Sequence, residues 1–288
     1  MADPRLSEML QAGRFVVAPG IQDMITATIA REIGFDAVYG SGYWLTASAY
    51  GLPDAGIASV TQMTDRMATL VASSNAPVIA DADTGYGGLL NVHHTVRAYE
   101  AAGVTAIQIE DQMFPKKCGH TPYKRIVPVE DMVEKIKVAV DARGDSSFLV
   151  IARTDALQSE GFDSLRRRMD AYAEAGADIL FPEALASEEQ MRIFCAGVDT
   201  PVLANMASGG VTPILPPERL EEIGFSLAIF PALASLVSAA AVEDALRALK
   251  GGDGSGGERR LFDFQRFCSL IGFEDVWAFE RKWARPEA

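Results

Sequence analysis

The sequence predicts a (β/α)8 barrel. Eight short apolar runs alternate with amphipathic stretches, and this alternation of strand and helix builds a parallel sheet. Several of the runs end in a polar residue, which is where the strands of a barrel reach the rim. The turn after the first run, Val17-Ala18-Pro19-Gly20, lacks the glycine-rich pattern of an open doubly wound sheet. The closed barrel is therefore favoured over the open sheet.

The predicted strands are, in chain order, residues 15–18, 37–40, 77–81, 106–110, 148–152, 179–182, 201–205 and 227–231. Helices are expected between them, for example over residues 90–102 and 165–175. Each of these two ends just before a glycine, Gly103 or Gly176, as helices commonly do. Eight repeats of strand and helix are the number that closes one barrel.

Two segments do not fit the repeat. Residues 111–128 form a connection of 18 residues rich in proline, lysine and aromatics, and loops of that length are usually lids or disordered segments. Residues 251–257, GGDGSGG, form a flexible linker. We therefore expect a barrel domain over residues 1–250, and a linker with a C-terminal helix over residues 251–288.

The C-terminal helix is predicted over residues 261–283. It carries many large apolar side chains, including Phe264, Phe267, Trp277, Phe279 and Trp283. Such a helix needs a surface to cover, which is either a neighbouring subunit or its own barrel. We expect the helix to pack on a partner subunit in a dimer of dimers.

Composition restricts the partners. The chain has 288 residues, 49% of them hydrophobic, and a net charge of −13, which argues against nucleic acid or an anionic membrane as a partner. No apolar run is long enough to span a membrane, and because the first residues include acids and no apolar core, no signal peptide is expected there. Three scattered cysteines favour a reducing compartment. We expect a cytoplasmic protein with a small-molecule substrate.

The polar residues at the strand ends include several acids. Asp81 ends the third predicted strand, and Asp83 lies two residues further on, so the two side chains are expected to face the same way. Glu110 ends the next strand, and Asp54 comes from the loop GLPDAG. Hard oxygen ligands of this kind suit Mg²⁺ or Mn²⁺, and we expect no protein cation among the four acids. The alternative for each single acid is a role in a turn or a helix cap.

The segment Lys116-Lys117-Cys118-Gly119-His120 supplies a second element. Positive neighbours lower the pKa of a thiol, which makes Cys118 a usable acid or nucleophile. Glycine beside it lets the backbone approach a substrate closely. The alternative is an exposed basic loop with an incidental cysteine. Arg153, directly after the fifth predicted strand, suits a substrate carboxylate, although an ion pair with Asp155 or Glu183 is equally open.

These motifs, DADTGYG, IEDQ, KKCGH, ARTDA, FPEA and LAN in this order, resemble the isocitrate lyase and phosphoenolpyruvate mutase superfamily. The similarity is greatest to its short lyase branch, which contains 2-methylisocitrate lyase and 2,3-dimethylmalate lyase. KKCGH is the most specific element, since the mutase and decarboxylase relatives lack its cysteine. The resemblance implies a (β/α)8 barrel, Mg²⁺ or Mn²⁺, and a homotetramer whose last helix is exchanged between subunits.

The resemblance also implies residue roles. The metal shell, direct or through water, would be Asp54, Asp81, Asp83 and Glu110. The catalytic residues would be Cys118 as the acid, Tyr39 as the candidate base, Arg153 and Glu183. Substrate contacts would come from Ser41, Gly42, Tyr43, Lys116, Gly119, His120, Arg153, Asn205 and Pro231. The chain departs from the lyases at Tyr43, Trp44 and Gln108, and in MASGG after Asn205; these departures concern the substrate.

The activity that this implies is a retro-aldol cleavage of a 2-hydroxy di- or tricarboxylate. A 2-oxo acid such as pyruvate or glyoxylate leaves, and Cys118 protonates the carbanion of the other fragment. The alternative is decarboxylation or hydrolysis of oxaloacetate or another 2-oxo acid, or a phosphonopyruvate-type reaction, on the same scaffold. A third class, a non-catalytic barrel that binds a metabolite, is disfavoured because every catalytic position is filled.

Overall fold

A computed structural model describes residues 3–119, 124–257 and 260–284. Its eight parallel strands confirm the predicted (β/α)8 barrel. The strands are β1 (Val16–Ile21), β2 (Val38–Gly40), β3 (Val78–Asp81), β4 (Ala106–Glu110), β5 (Leu149–Thr154), β6 (Ile179–Pro182), β7 (Leu203–Asn205) and β8 (Leu227–Phe230). Neighbours pair in the order β6-β5-β4-β3-β2-β1-β8-β7. A parallel bridge between Leu180 and Val202 joins β6 to β7 and closes the barrel.

Helices surround the strands. In chain order they are α1 (Arg5–Gln11), α2 (Met24–Ile33), α3 (Gly42–Tyr50), α4 (Val60–Ser74), α5 (Leu89–Ala101), α6 (Val129–Ala142), α7 (Leu157–Glu160), α8 (Phe162–Glu174), α9 (Glu188–Cys195), α10 (Pro217–Ile223), α11 (Leu233–Lys250), α12 (Phe264–Leu270) and α13 (Phe273–Trp283). Two helices follow β2, so α3 supplies a backbone segment at the rim before α4 makes the crossover.

The apolar core has two parts. Side chains that point inward, such as Val16, Ile79, Ile151 and Phe181, fill the barrel, and Leu6 of α1 joins them. A larger cluster lies between the strands and the surrounding helices. A filled interior leaves no pore, so a ligand site has to lie at an end of the barrel.

The connection over residues 111–128 is more ordered at its base than the sequence predicts. Gln112 and Ile126 form an antiparallel bridge, and the Met113 amide donates to the Arg125 carbonyl over 2.8 Å. The two ends of the segment are therefore held together by the backbone. We call residues 111–128 the lid segment, of which residues 120–123 are not described.

The predicted single helix over residues 261–283 is wrong, because it is two helices. Gly272, with φ of 90°, separates α12 from α13, and a left-handed residue cannot continue a helix. The α12 helix contacts α2 of its own barrel, where Arg31 donates to the Leu270 carbonyl over 3.2 Å. The α13 helix buries no residue. No helix in the described ranges has the length and apolar content to cross a membrane.

Candidate active site

The strand register brings the predicted polar residues to one rim. Asp81 pairs in register with Gln108, and Glu110 pairs with Arg153. A cavity of about 340 Å³ opens there. Its lining comprises Tyr39, Ser41, Tyr43, Trp44, Asp54, Asp81, Lys116, Cys118, Gly119, Arg153, Asn205, Ala207, Ser208, Gly209, Gly210, Ile229, Pro231, Ala232 and Leu236. Most of the residues predicted for the site thus meet around one space.

Asp81 and Asp83 lie together, but not because they share a strand. The β3 strand ends at Asp81, and Asp83 follows in the left-handed region with φ of 51°. Gly42 packs against both, since a β-carbon there would lie 2.8 Å from one oxygen of Asp81 and 3.4 Å from one of Asp83. The Gly42 amide, at the start of α3, donates to Asp81 over 3.2 Å. Glycine at position 42 is what lets the helix start approach these carboxylates.

Lys116 corrects the expectation that no protein cation lies among the acids. Its ammonium group bridges Asp54 and Asp83, at 2.5 and 2.9 Å. Only 3% of the Lys116 side chain is exposed. Burial opposes its charged form, but the carboxylates around it hold its pKa well above the ordinary value. Lys116 was predicted to contact the substrate, and here it is bound to the acidic cluster of Asp54, Asp81, Asp83 and Glu110.

Lys116 does not fully compensate for the burial of the acidic cluster and the repulsion among its carboxylates. Burial, together with Asp81 and Asp54, raises the pKa of Asp83 to about 6 in spite of Lys116. Burial also holds the pKa of Glu110 well above its ordinary value. Within the described ranges the Asp81 carboxylate is in no ion pair and accepts hydrogen bonds only from Gly42, Asp83 and Gln108. Such a set of carboxylate oxygens fits a divalent cation.

The acids do not form a ready-made cage. Among the residues that the structure describes, no three histidine, cysteine, aspartate or glutamate side chains are arranged to hold one metal ion. Mg²⁺ usually keeps several waters and takes only one or two protein carboxylates. The arrangement therefore fits a hydrated ion better than one bound directly by all four acids.

Tyr39 lines the cavity, but its environment weighs against the predicted role as base. Its hydroxyl donates to Gln108 Oε1 over 2.7 Å, and Gln108 in turn donates to Asp81 over 3.3 Å. Burial, and then the charge of Asp81, raise the pKa of Tyr39 well above its ordinary value. A base role requires the phenolate, and both features favour the neutral phenol.

Arg153 forms the internal ion pair that the sequence left open. Its Nε and Nη2 donate to the two carboxylate oxygens of Asp155 over 2.9 and 3.0 Å. Nε also lies 3.4 Å from Glu110, and Nη2 lies 3.8 Å from Glu183. The guanidinium still lines the cavity, 5.0 Å above the ring of Phe181. Arg153 thus presents a fixed positive charge whose orientation Asp155 determines.

Glu183 and Asn205 form a pair beside Arg153. The Glu183 carboxylate is fully buried, and Asn205 Nδ2 donates to it over 3.0 Å. Asn205 Oδ1 is buried and has no hydrogen-bond partner among the described residues. A buried amide oxygen without a donor is costly, so a donor from a bound ligand would satisfy it. Glu183 orients Asn205, and Asn205 is the member of the pair that faces the cavity.

The lid segment brings Cys118 and Gly119 to the cavity. Gln112 holds the backbone next to Cys118, since its Nε2 donates to the Lys117 carbonyl over 2.8 Å and its Oε1 accepts from the Lys117 amide over 3.2 Å. The Cys118 side chain is partly exposed. His120, the last residue of the predicted motif, lies outside the described residues.

The remaining wall is largely apolar. Tyr43 and Trp44 pack against each other with ring centroids 4.7 Å apart and ring planes tilted by 56°, and Pro231 and Ile229 face the cavity from the end of β8. Ser41 directly precedes α3, and its side chain makes no capping hydrogen bond to that helix. Ser41 is buried in the cavity wall. The aromatic pair narrows one side of the cavity.

The cavity lining includes residues that the sequence marked only in part. Ala207 to Gly210, after β7, belong to the segment MASGG, which was noted as a departure that concerns the substrate, whereas Leu236 of α11 carries no pattern that marks a site. Asp111 was not predicted for the site, and it supports the site through Asp155 without lining the cavity. It is fully buried, and accepts hydrogen bonds from the Asp155 amide over 3.0 Å and from Tyr172 over 2.9 Å. A second acid directly after Glu110 was the available signal for it.

Comparison with known proteins places the chain among relatives over almost its whole length. The family model of phosphoenolpyruvate phosphomutase matches residues 6–250. The 2,3-dimethylmalate lyase of Eubacterium barkeri is 43% identical, over 97% of this chain and 97% of the relative. The 2-methylisocitrate lyase of Aeropyrum pernix is 42% identical, over 94% of this chain and 87% of the relative.

Solved structures agree in fold. A crystal structure of 2,3-dimethylmalate lyase, described as a member of the PEP mutase/isocitrate lyase superfamily, matches with a TM-score of 0.91 and 35% identity, over 99% of this chain and 96% of that one. Oxaloacetate acetylhydrolase bound to 3,3-difluorooxalacetate matches with a TM-score of 0.91 and 33% identity, over 96% and 95% of the two chains.

Proposed function

The chain belongs to the PEP mutase/isocitrate lyase superfamily, and we propose that it is a carbon–carbon lyase that cleaves a 2-hydroxydicarboxylate by a retro-aldol reaction. The observation that carries the proposal is the convergence of three elements on one cavity. These are the acidic cluster at Asp81, the fixed cation Arg153 and the thiol of Cys118. The relatives named as lyases support the same class of reaction.

We propose Mg²⁺ or Mn²⁺ as the cofactor. Asp81 and Asp83 would hold it, with Asp54 and Glu110 acting directly or through water. When bound, the ion would supply positive charge that stabilises negative charge on the substrate oxygens that end up in the 2-oxo acid. Lys116 would hold Asp54 and Asp83 in place.

The reaction needs no added reagent. The substrate hydroxyl loses its proton to solvent, the bond between the hydroxyl-bearing carbon and its neighbour breaks, and the hydroxyl carbon becomes the carbonyl of a 2-oxo acid. The electron pair of the broken bond stays on the neighbouring carbon, where the adjacent carboxylate delocalises it. Arg153 would bind that carboxylate, and the Cys118 thiol would donate a proton to the carbon. The resulting thiolate regains a proton from solvent.

The cavity favours a dicarboxylate over a tricarboxylate. Lys116 and Arg153 are the cations among its described lining, and both already bind protein carboxylates. A third substrate carboxylate would face the apolar wall of Tyr43, Trp44 and Leu236, where burying an unpaired charge is costly. Alkyl groups suit that wall. We therefore propose a substrate of the 2,3-dialkylmalate type, with methylisocitrate-like tricarboxylates as poorer substrates.

Hydrolysis of oxaloacetate is the second candidate. Two observations favour it: the fold matches oxaloacetate acetylhydrolase closely, and the pair of Tyr43 and Trp44 narrows the cavity toward small diacids. In sequence, the chain is 43% and 42% identical to two relatives named as lyases. The lyase reaction is therefore the first proposal, and the two reactions yield different products.

We propose that the chain forms a dimer of dimers in the cytoplasm, with residues 1–250 as the barrel domain and residues 251–288 as a linker and exchanged tail. Two apolar surfaces support the assembly. One lies on α11, with Leu233, Val237, Val242, Leu246 and Leu249 exposed, and the other lies on α13, with Val276, Phe279 and Trp283 exposed. Covering α13 of one subunit with α11 of another would bury both.

Product analysis tests the proposed reaction. Purified protein is incubated with Mg²⁺ and, separately, with 2,3-dimethylmalate, 2-methylisocitrate and oxaloacetate. The proposal predicts equal amounts of pyruvate and propionate from 2,3-dimethylmalate, at a kcat/KM above that for the tricarboxylate. Oxalate and acetate from oxaloacetate, without cleavage of either hydroxy acid, would establish the hydrolase instead.

A further inference from the structure

Lys124 connects the lid segment to the Arg153 site. Its ammonium group donates to the Gly119 carbonyl and, over 2.9 Å, to Asp155 Oδ1. Only 4% of the Lys124 side chain is exposed, and the Asp155 side chain is fully buried. Asp155 is the same carboxylate that binds Arg153 through two hydrogen bonds. One buried carboxylate therefore holds both the lid segment and the guanidinium.

The carboxylate of Asp155 is fitted to hold two cations. Burial opposes its ionisation, but Arg153 and then Lys124 outweigh burial and lower the pKa of Asp155 to about 2. The Asp155 amide donates to Asp111 over 3.0 Å, which fixes the backbone beneath the carboxylate. Asp155 is thus ionised and immobile at neutral pH, and charge-assisted hydrogen bonds of this kind are stronger than neutral ones.

The contacts on either side of Cys118 differ in what they connect. Gln112 binds the backbone of Lys117, within the lid segment itself. Lys124 binds the backbone of Gly119 and joins it to the barrel strand that carries Arg153. Removing the Lys124 side chain would leave both hydrogen bonds between Arg153 and Asp155 in place. It would remove the contact that joins the Gly119 backbone, next to Cys118, to Asp155.

We infer that Lys124 is a positioning residue, which holds the Cys118 thiol in register with Arg153 through Gly119 and Asp155. The inference rests on the proposed function for its catalytic consequence. A loss of this contact changes where the thiol lies without removing a group that contacts the substrate. The proton-delivery step should therefore suffer, while substrate binding at Arg153 is retained.

Steady-state kinetics test the consequence. Lys124→Met is expected to lower kcat by about 10- to 100-fold with KM changed by less than about threefold, because a misplaced group costs rate rather than binding. Lys124→Arg keeps the charge and should recover most of the loss. Arg125→Met, which removes an exposed neighbouring cation, is the matched control and should match wild type. In a Cys118→Ser background, Lys124→Met should have less than about a twofold further effect.

A loss of kcat by the same factor in both backgrounds, or an unchanged kcat in Lys124→Met, would overturn the inference.

Hydrogen exchange provides a readout that needs no substrate. In the Lys124→Met variant, the backbone amides of residues 113–119 should exchange at least about tenfold faster than in the wild-type protein. In the Arg125→Met variant, they should exchange at the wild-type rate. Unchanged exchange would overturn the positioning role. Faster exchange in a protein that cleaves none of the tested acids would support it and reject the proposed function alone.

Discussion

The α-carbon of Gly119 packs so closely on Arg153 that a β-carbon at position 119 would lie 2.1 Å from the guanidinium Nη2. The same β-carbon would lie 3.0 Å from Asp155. Any side chain there would force either the lid segment or the guanidinium to move. The lid segment can lie over this site only because position 119 is glycine.

Gly119→Ala is therefore expected to lower kcat/KM by about 10²-fold, the size of effect that a displacement of about 1 Å produces. The cause is displacement of Cys118 relative to Arg153, so the fold and the thermal unfolding temperature should change little. Gly254→Ala, in the linker, is the control, since a β-carbon there meets nothing within 4 Å. Full activity of Gly119→Ala would mean that the lid segment does not lie here during catalysis.

The metal proposal predicts loss of activity in chelator and its return with Mg²⁺ or Mn²⁺. Binding of Mn²⁺ alone, measured by calorimetry, should weaken by about tenfold or more in Asp81→Asn, because that carboxylate has only neutral hydrogen-bond donors around it in the described structure. Asp65→Asn, which alters an exposed acid on α4, should bind Mn²⁺ like wild type. Full turnover after exhaustive chelation would contradict the proposal.

Cys118→Ser is expected to lower kcat by a factor of about 10² to 10⁴, the usual contribution of a placed acid, while the affinity for the 2-oxo acid product changes little. Cys195→Ser is the matched control, since burial raises the pKa of the Cys195 thiol to about 12 and that residue lies away from the cavity lining. Equal rates for Cys118→Ser and wild type would favour the hydrolase or decarboxylase alternative.

The assembly proposal predicts that the helix α13 is buried by a partner. Phe279 is 64% exposed in the single chain, so Phe279→Glu should leave the barrel folded but shift a tetramer toward smaller species in light scattering. Deletion of residues 258–288 should have the same effect. Glu280→Gln, on the same helix, is the control. A monomeric wild-type protein would show that the tail does not join subunits.

Much of the fold was predictable because apolar strands and glycine-ended helices leave local patterns. The β4 and β6 strands have the predicted bounds. The β1 strand was predicted too short, since Pro19 and Gly20 read as a turn. Gly20 instead allows a close approach of Pro231, whose backbone would lie 2.3 Å from a β-carbon there. That contact joins residues far apart in sequence, and no local pattern marks it.

The convergence of the acidic residues on one site was predictable from the sequence, whereas the side chains that contact them were less so. Strand ends converge in any parallel barrel, which brought Asp81, Glu110 and Arg153 together. Lys116 was unpredictable in its contacts, because the path of a long loop decides which carboxylates its side chain meets. The break at Gly272 was missed for a different reason. Apolar residues recur at helical spacing on both sides of it, and spacing alone does not reveal a turn.

The most direct test of the proposed lyase is cleavage of 2,3-dimethylmalate by the wild-type protein in ²H2O, followed by NMR. The proposed mechanism predicts pyruvate and propionate in equal amounts, with one deuteron at a single stereochemical position on C2 of propionate, because a fixed Cys118 delivers it from one side. Absence of propionate would contradict the lyase. Propionate with deuterium distributed equally over both positions would contradict proton delivery by a positioned thiol.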